Sequence, residues 1–480
     1  MRRESIHTPG KHVGKWQWQV KHWSIVRILA PLLIMIFGST TLTAYAATGD
    51  WPTYLSNNGR SGYDSSETMI NTNSASGLKL HWTHTAAGAI STQPVVANNL
   101  IYWGSWDAGN EHATSLTNGH VWTNQLGTTT DSSCNPVSVG VASTSTVATI
   151  SINGHPTSVL FVGGGNARFY ALDALTGKFI WNTSLGSSPS HFIWSSPAVY
   201  NGSVYIGVAS FGDCPLVQGQ LVQLNASNGV ITHTYNVVPN GCTGGGVSGS
   251  PTIDEATGNL YITTGNAGSC GSSESNAPAV VELKASDLSF VRHWQVPSSQ
   301  QVGDSDFIST PTLFTGSGGT PLVGVANKNG KFYALNRSAF NNGPVWTAQI
   351  ASGGGCPQCG QGSISPAAWD GTTLYVAGGK TTISGSSCKG SVRALNPATG
   401  AFIWQHCLND GPVLAAVTLA PGLVVVCQGR YVMVISASSG TTLFPFLDSN
   451  SGSTFYGAPS ISNGVIYVGN LDGRLYAIGT

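Results

Sequence analysis

A repeating unit constrains this chain more than any other feature of its sequence. From Ser91 onward one cycle returns every ~40 to 60 residues, a spacing typical of propellers and other repeat folds. Each cycle has a Ser-x-Pro-like opening, an alternating strand with Gly and Tyr, a second strand, a Gly turn and a closing aromatic residue. The openings lie at Pro94, Pro136, Pro197, Pro251, Pro311, Pro366 and Pro459, with an eighth, lacking proline, around Val413 to Leu419.

The turns inside each unit are typical of a small antiparallel meander. Pairs such as Asn201-Gly202, Asp370-Gly371 and Asn463-Gly464 supply the positive φ angles that tight hairpins require. A four-stranded meander cannot bury both faces alone, but radial stacking buries each face against a neighbour. We therefore predict an all-β fold, an eight-bladed β-propeller of four-stranded antiparallel blades.

The two ends of the chain are predicted to close the ring together. The last unit, Tyr456 to Ile478, supplies only three strands, whereas Leu78 to Trp82 is a lone strand with apolar residues at alternate positions. We expect this N-terminal strand to complete the last blade, because such pairing hides two sheet edges at once.

The beginning of the chain has the layout of a secretory signal. Basic residues precede an apolar run from Ile28 to Leu42, and Ala44-Tyr45-Ala46 offers a cleavage position. We predict a signal peptide or signal anchor at 1–46, an N-terminal extension at 47–77 and the propeller at 78–480. The protein is then exported to the periplasm, the cell surface or the medium, and it is attached to a membrane only if the segment stays uncleaved.

The charge balance excludes one class of partner. Lys plus Arg and Asp plus Glu both number 20, and together they make up only 8% of the chain. No basic stripe follows residue 27, so the sequence lacks the electrostatic footprint of a nucleic-acid-binding protein.

The cysteines of an exported chain are expected to form disulfides. Nine cysteines leave at least one unpaired within the chain. We expect a local staple between Cys356 and Cys359, since the C-x-x-C motif is followed by Gly360 and not by the His of a haem attachment site. Two further plausible pairs are Cys214 with Cys242 and Cys388 with Cys407.

The repeat resembles a known family. Residues 171–181, Ala-Leu-Asp-Ala-Leu-Thr-Gly-Lys-Phe-Ile-Trp, are similar to the tryptophan-docking repeat of pyrroloquinoline-quinone (PQQ) dehydrogenases, and residues 394–404 resemble it closely. Looser versions end at Trp122, Trp294 and Trp346, and Asp50-Trp51-Pro52 is similar to the opening of polyvinyl-alcohol-dehydrogenase-like proteins. The expected role of these tryptophans is to pack between neighbouring blades.

The resemblance also implies a site. By similarity, Asp306 is the catalytic base, and Asp213, Asn266 and Asp306 hold a calcium ion. The positions implied to border the quinone are Lys328, Asn266, Cys134 and Ser248. Oxygen ligands suit Ca²⁺, a carboxylate can take an alcohol proton, and PQQ accepts the hydride equivalent. The implied function is a PQQ- and calcium-dependent dehydrogenase for a small alcohol, a polyol or a polymer.

Three positions depart from the family pattern. Ser248 stands where an aromatic residue usually stacks on the quinone, no adjacent Cys-Cys is present although Cys134 lies in a comparable loop, and Asp213 replaces a longer glutamate. The alternative function is a non-catalytic propeller that binds a protein, a glycan or a polymer, as assembly-scaffold propellers with these repeats do. In that case the loop carboxylates and Asn266 only satisfy tight turns.

Overall fold

The chain forms a closed ring of antiparallel sheets. The computed structural model describes residues 49–449 and 453–480, which contain eight sheets with four principal strands each. The first strands of the sheets contact one another in cyclic order, and the last contacts the first, so they surround a central channel. The predicted eight-bladed β-propeller is confirmed. The predicted signal segment lies outside the described residues, within which no helix has the length and apolar character needed to cross a membrane.

Blades 1 to 4 follow one another along the chain, each running from the channel outward. Their strands are Val95–Ala97, Leu100–Ser105, Asn110–Ser115 and His120–Gln125 (blade 1); Thr146–Ile152, His155–Gly163, Arg168–Asp173 and Phe179–Ser184 (blade 2); Ala198–Tyr200, Ser203–Ser210, Gln220–Asn225 and Ile231–Asn236 (blade 3); and Thr252–Asp254, Asn259–Thr263, Ala279–Lys284 and Phe290–Gln295 (blade 4). A short strand, His191–Phe192, extends the sheet of blade 3.

Blades 5 to 8 repeat this order. Their strands are Thr312–Thr315, Pro321–Ala326, Lys331–Asn336 and Pro344–Gln349 (blade 5); Ala368–Trp369, Leu374–Gly378, Gly390–Leu395 and Phe402–Leu408 (blade 6); Thr418–Ala420, Leu423–Gln428, Tyr431–Ser436 and Thr442–Leu447 (blade 7); and Ser460–Ser462, Val465–Gly469, Arg474–Gly479 and Lys79–Thr85 (blade 8). Two small hairpins pair Thr129–Thr130 with Ser138–Val139 and Thr381–Ile383 with Ser386–Cys388. The helices are short 3-10 turns at Ala75–Gly77, Gly271–Ser273, Ser298–Gln300, Ser317–Gly319, Phe340–Asn342 and Pro357–Cys359.

The ring closes as the sequence predicts. The strand Lys79–Thr85 pairs antiparallel with Arg474–Gly479 and becomes the outermost strand of blade 8. A bulge between Leu80 and Trp82 shifts the register, and the Leu80 side chain is exposed instead of buried. The alternation of apolar residues therefore predicted the position of this strand correctly, but it wrongly predicted that Leu80 is on the buried face.

Tryptophans on the outermost strands of several blades contact the next blade. The indole nitrogens of Trp122, Trp181, Trp346 and Trp404 donate to backbone carbonyls in the Gly turn of the following blade. The glycines of these turns all have positive φ, and a Cβ on any of them would overlap the docked indole ring; they are Gly177, Gly229, Gly400 and Gly440. The Thr-Gly and Trp positions of the repeat are thus two halves of one contact between blades.

Trp82 extends this series across the closure. It lies on the N-terminal strand, packs beside Tyr467 of blade 8 at 6.0 Å between ring centroids, and donates 3.0 Å to the carbonyl of Leu116 in blade 1. The last blade is therefore fastened to the first by an indole-to-carbonyl hydrogen bond like those of the other pairs. Here a Cβ on the turn glycine, Gly119, would meet Ser115 and not the indole ring.

Residues 49–67, here called the collar, run around the inside of the channel. Hydrogen bonds join the collar to every blade, through Val96, Val147, Val199, Ile253, Leu313, Trp369, Leu419 and Ser462. Arg60 is fully buried and donates to the carbonyls of Pro197 and Pro251 in neighbouring blades. Tyr54 of the collar lines the central cavity described below, so the collar closes the channel on that side.

One predicted blade opening is wrong. Pro136 lies in the connector between blades 1 and 2, whereas the first strand of blade 2 begins at Thr146. Thr144 occupies in blade 2 the position that Ser196 holds in blade 3. The backbone N–H of Thr144 donates to the Ser196 hydroxyl, just as the backbone N–H of Ser196 donates to the Ser250 hydroxyl. Blade 2 opens without proline, and the nearest proline in the sequence belongs to an inserted hairpin. The eighth opening, around Val413 to Leu419, is confirmed by the strand Thr418–Ala420.

The closure predicts a difference between two substitutions on one strand. Trp82→Ala removes the docking contact between blades 8 and 1, and we expect it to lower the free energy of unfolding by about 2 kcal/mol. Leu80→Ala changes an exposed side chain of the same strand and should stay within about 0.5 kcal/mol of the wild type. Denaturant unfolding measures both, and equal effects would contradict the role given to Trp82.

A second prediction concerns a carboxyl inside blade 1. Glu111 is completely buried near Ser145, and burial raises its pKa to about 8. The folded state therefore retains this proton between the unfolded pKa of 4.5 and about 8, so stability is lost as pH rises through that window, by at most ~1.4 kcal/mol per pH unit. Glu111→Gln should remove this loss when the free energy of unfolding is compared at pH 5, 6.5 and 8. A wild type and variant with parallel pH profiles would refute the prediction.

Candidate functional site

A cavity lies in the channel at the mouth formed by the connectors between blades. It has a volume of about 370 Å³, within the ~300 to 1,000 Å³ of typical ligand sites. Asp213, Asp306, Lys328 and Ser248 line it, and Tyr54 of the collar lies on the opposite side. These residues come from different blades but from equivalent connectors and from loops between second and third strands, which all meet at this mouth.

A second, larger cavity of about 770 Å³ adjoins the first over blades 3 to 5. Asp213, Ser248 and Asp306 line both cavities, whereas Asn266 lines only the larger one. The structure thus brings three predicted metal ligands, Asp213, Asn266 and Asp306, to the wall of one space.

The centre of the site is a hydrogen-bonded ion network. Lys328 Nζ lies 2.9 Å from Asp306 Oδ2 and 2.7 Å from Asp304 Oδ2. Asn266 donates its backbone N–H to Asp306 and its side-chain N–H to Asp304, and its own Oδ1 accepts from Ser305 N. Asp304 was not among the predicted site residues, although it precedes Asp306 by two positions on the same connector.

Burial and charge give the two carboxyls different pKa values. Asp306 is the more buried; burial raises its pKa to about 6, the Lys328 cation opposes this rise, and the charge of Asp304 adds to it. For the more exposed Asp304 the effect of burial is outweighed by Lys328, so its pKa is lowered. Burial likewise acts against the charged form of Lys328, but the two carboxylates hold its pKa above the ordinary value. The network therefore contains a carboxyl poised near neutrality beside a permanent cation.

Asp213 lies in an exposed loop that a disulfide holds at the mouth. Cys214 is bonded to Cys134, with 5.8 Å between their Cα atoms, and Ser210 Oγ donates to Asp213 Oδ1 at 3.1 Å. Cys134 is buried next to Phe211, and the ring of Trp194 lies parallel to Phe211 at 6.4 Å. Cys134 does not line the central cavity, but its disulfide braces the loop that carries Asp213.

The disulfide pattern corrects part of the prediction. Cys214 does not pair with Cys242, because its loop faces the connector before blade 2. Cys242, on the connector that leads into blade 4, pairs instead with Cys270 in a loop of that blade. The predicted pairs Cys356–Cys359 and Cys388–Cys407 are confirmed. The unpaired cysteine is Cys427, which is buried in blade 7.

Four hydroxyls at the blade openings form an arc on the cavity wall. Thr144, Ser196, Ser250 and Thr310 line the cavity, and the hydroxyl oxygen of each accepts a backbone N–H from the preceding blade opening at 2.8 to 3.1 Å. Within the described part of the chain none of these hydroxyls donates a hydrogen bond, so each keeps a proton for an acceptor in the cavity. The sequence showed Ser196, Ser250 and Thr310 only as openings of the repeat, and it did not single out Thr144.

The aromatic lining differs from the pattern that the resemblance implies. Ser248 lines both cavities at the position where an aromatic side chain was expected. Aromatic groups reach the central cavity from elsewhere, namely from Trp194 and Phe211, from Tyr54 of the collar and from Tyr456 before blade 8.

Comparison with known proteins shows the family of the chain. The family model described as "PQQ_2: Outer membrane protein assembly factor BamB" matches residues 120–353 and 328–480, more than half of the chain. The chain belongs to this PQQ-repeat family.

Relatives of this PQQ-repeat protein include dehydrogenases. A polyvinylalcohol dehydrogenase of Pseudomonas sp. is 24% identical over 455 residues, which cover 82% of this chain and 68% of that one. A quinohemoprotein alcohol dehydrogenase of Comamonas testosteroni is 27% identical over 352 residues, covering 61% of this chain but only 46% of its own length. A europium-containing methanol dehydrogenase superposes with a TM-score of 0.72 at 17% identity, over 90% of this chain and 98% of that one, which shows the shared fold.

The ion network predicts how the pKa of Asp306 responds to substitution. Lys328→Met removes the cation that lowers this pKa, so it should rise above about 6 and the carboxyl should stay protonated near neutral pH. Infrared spectra of the protonated carboxyl band, recorded against pH, measure the change. Lys331→Met is the matched control, because Lys331 bonds to Gln300 and not to either aspartate. An unchanged titration in Lys328→Met would show that the cation does not control Asp306.

Proposed function

We propose that this PQQ-repeat protein is an alcohol dehydrogenase that uses PQQ and calcium and acts on a small alcohol, a polyol or a polymer. The observation that carries the proposal is the convergence of Asp213, Asn266, Asp306 and Lys328, from three consecutive blades, on one mouth of the channel. The relatives named as dehydrogenases support the same class of reaction.

The chemistry of the cavity wall fits such a cofactor. PQQ carries carboxylate and carbonyl oxygens, which are hydrogen-bond acceptors, and the arc of Thr144, Ser196, Ser250 and Thr310 offers hydroxyl protons. Asp213, Asn266 and Asp306 offer the oxygen ligands that calcium prefers, on the wall of one cavity. The residues present therefore match an acceptor-rich ligand together with a hard cation.

The side chains supply the proton chemistry of alcohol oxidation. When bound, PQQ would accept the hydride equivalent from the alcohol carbon. Asp306 would take the hydroxyl proton in its ionised form, which predominates above its pKa of about 6. Lys328 holds the Asp306 carboxylate in place, while Asp304 and Asn266 hold Lys328 and Asp306 in a fixed arrangement. The collar closes the far side of the cavity to solvent.

We further propose that the protein works outside the cytosol. Its four disulfides suit an oxidising compartment, in agreement with the signal-like beginning of the sequence. Periplasm, cell surface and medium are equally consistent with both observations.

A non-catalytic binding propeller is the second candidate. Ser248 removes the expected aromatic support, and Lys328, the basic residue that lines the central cavity, is already paired with two carboxylates. A protein or glycan ligand would then occupy the mouth, with the ion network as a structural element. A partner that binds tightly to metal-free protein in a pull-down or glycan array, and loses that binding when Trp194 at the mouth is changed to Ala, would favour this function.

Reconstitution distinguishes the two functions. The purified chain, incubated with PQQ and CaCl2, should develop quinone absorbance and reduce a redox dye with ethanol or polyvinyl alcohol. The rate should rise with pH through about 6 as Asp306 ionises, and Asp306→Asn should lower kcat by about 100-fold or more.

Asp410→Asn serves as the matched control for this test. Asp410 lies on the equivalent connector before blade 7 and pairs with Arg430, but it lines neither cavity. We expect its substitution to leave the rate near that of the wild type. Neither absorbance nor turnover with saturating PQQ and calcium would refute the dehydrogenase proposal.

A further inference from the structure

A groove separate from the central cavity lies between the outer parts of blades 3 and 4. Its volume is about 570 Å³, and its walls include the end of the strand Ile231–Asn236 and the strand Phe290–Gln295. The loop 271–278 divides it from the larger cavity, since Gly271 and Pro278 line that cavity whereas Ser275 lines the groove. The groove therefore flanks the mouth without sharing its residues.

A chain of hydrogen bonds leaves one donor and one acceptor free in this groove. Asn276 Nδ2 donates 2.9 Å to the hydroxyl oxygen of Tyr235, and His293 Nδ1 lies 2.5 Å from Asn276 Oδ1. His293 must carry its proton on Nδ1 to make this bond, so Nε2 is an acceptor. Within the described residues nothing donates to Nε2, and the Tyr235 hydroxyl proton has no acceptor. A ligand hydroxyl, which both donates and accepts, matches this pair.

The remaining lining is aromatic, amide and hydroxyl. Phe290 is 49% exposed, and its ring lies 5.7 Å from that of His293, so the two rings and Tyr235 offer apolar faces. Asn236 and Asn240 add carboxamides along one wall. Burial lowers the pKa of His293 and raises that of Tyr235 to about 12, so both are neutral at physiological pH. The groove thus presents no charge to its ligand.

We propose that this groove binds an uncharged, polyhydroxylated chain, with the rings against its C–H faces and Tyr235, His293 and the amides on its hydroxyls. Aromatic faces and neutral donor–acceptor pairs select such a ligand over an anionic polymer. A chain seated here is held beside the loop 271–278, whose other side borders Asp306's cavity. Binding does not depend on the proposed oxidation, because no groove residue belongs to the ion network.

Direct binding tests the proposal on the purified chain without added PQQ or calcium. The neutral probes are cellohexaose, a glycan, and polyvinyl alcohol, a synthetic polymer, and the anionic probe is oligogalacturonate. Titration calorimetry measures the affinity of each probe. We expect a neutral probe to bind, and Phe290→Ala and Tyr235→Phe each to weaken it about fivefold.

Phe179→Ala provides the matched control. Phe179 is 46% exposed and is the first residue of the outermost strand of blade 2, as Phe290 is in blade 4, but it does not line the groove. Its substitution should leave affinity unchanged, as should Asp306→Asn, which separates this site from the proposed catalytic one. The proposal is overturned if neither neutral probe binds, if oligogalacturonate binds as tightly, or if Phe179→Ala and Phe290→Ala weaken binding equally.

Discussion

Docking of a tryptophan from an outer strand onto a turn of the next blade is the contact on which the rest of this protein depends. It joins blades 8 and 1, 1 and 2, 2 and 3, 5 and 6, and 6 and 7. An isolated blade exposes both faces of its sheet, and these faces are buried only when a neighbouring blade packs on each side. The indole supplies apolar area and one hydrogen bond, and the turn accepts it only because Gly177 and its counterparts carry no Cβ. Trp82 makes the contact between the last blade and the first, so it converts a row of sheets into a ring.

The ring in turn creates the site. Asp213, Asn266, Asp306 and Lys328 lie on connectors and loops of consecutive blades, and closure of the channel turns these segments toward one axis. The collar closes the opposite side, where it is hydrogen-bonded to all eight blades. Low dielectric in this enclosed space is what raises the pKa of Asp306 while Lys328 keeps the pair charged.

The sequence predicted the features that recur and missed those that occur once. Eight blades, the closing strand and the tryptophan contacts follow from periodic residues. Pro136 misled the phasing because an inserted hairpin carries a proline near an opening that lacks one. Cys214 was assigned the wrong partner, because packing in the fold decides which neighbouring loop its own loop contacts. Asp304 was not predicted, because only the fold shows that Lys328 reaches both Asp304 and Asp306. The free hydroxyls at the openings likewise become visible only when cross-blade bonds are known.

We propose that the closed ring gathers an acceptor-rich cofactor and a hard cation at one mouth. The most direct measurement is a crystal structure of the chain grown with PQQ and calcium, with anomalous scattering recorded to locate the ion. We expect a planar ligand against Thr144, Ser196 and Ser250, with the ion held by Asp213, Asn266 and Asp306. A channel that stays empty at saturating PQQ and calcium, or a ligand bound outside the channel, would show that this mouth is not a cofactor site.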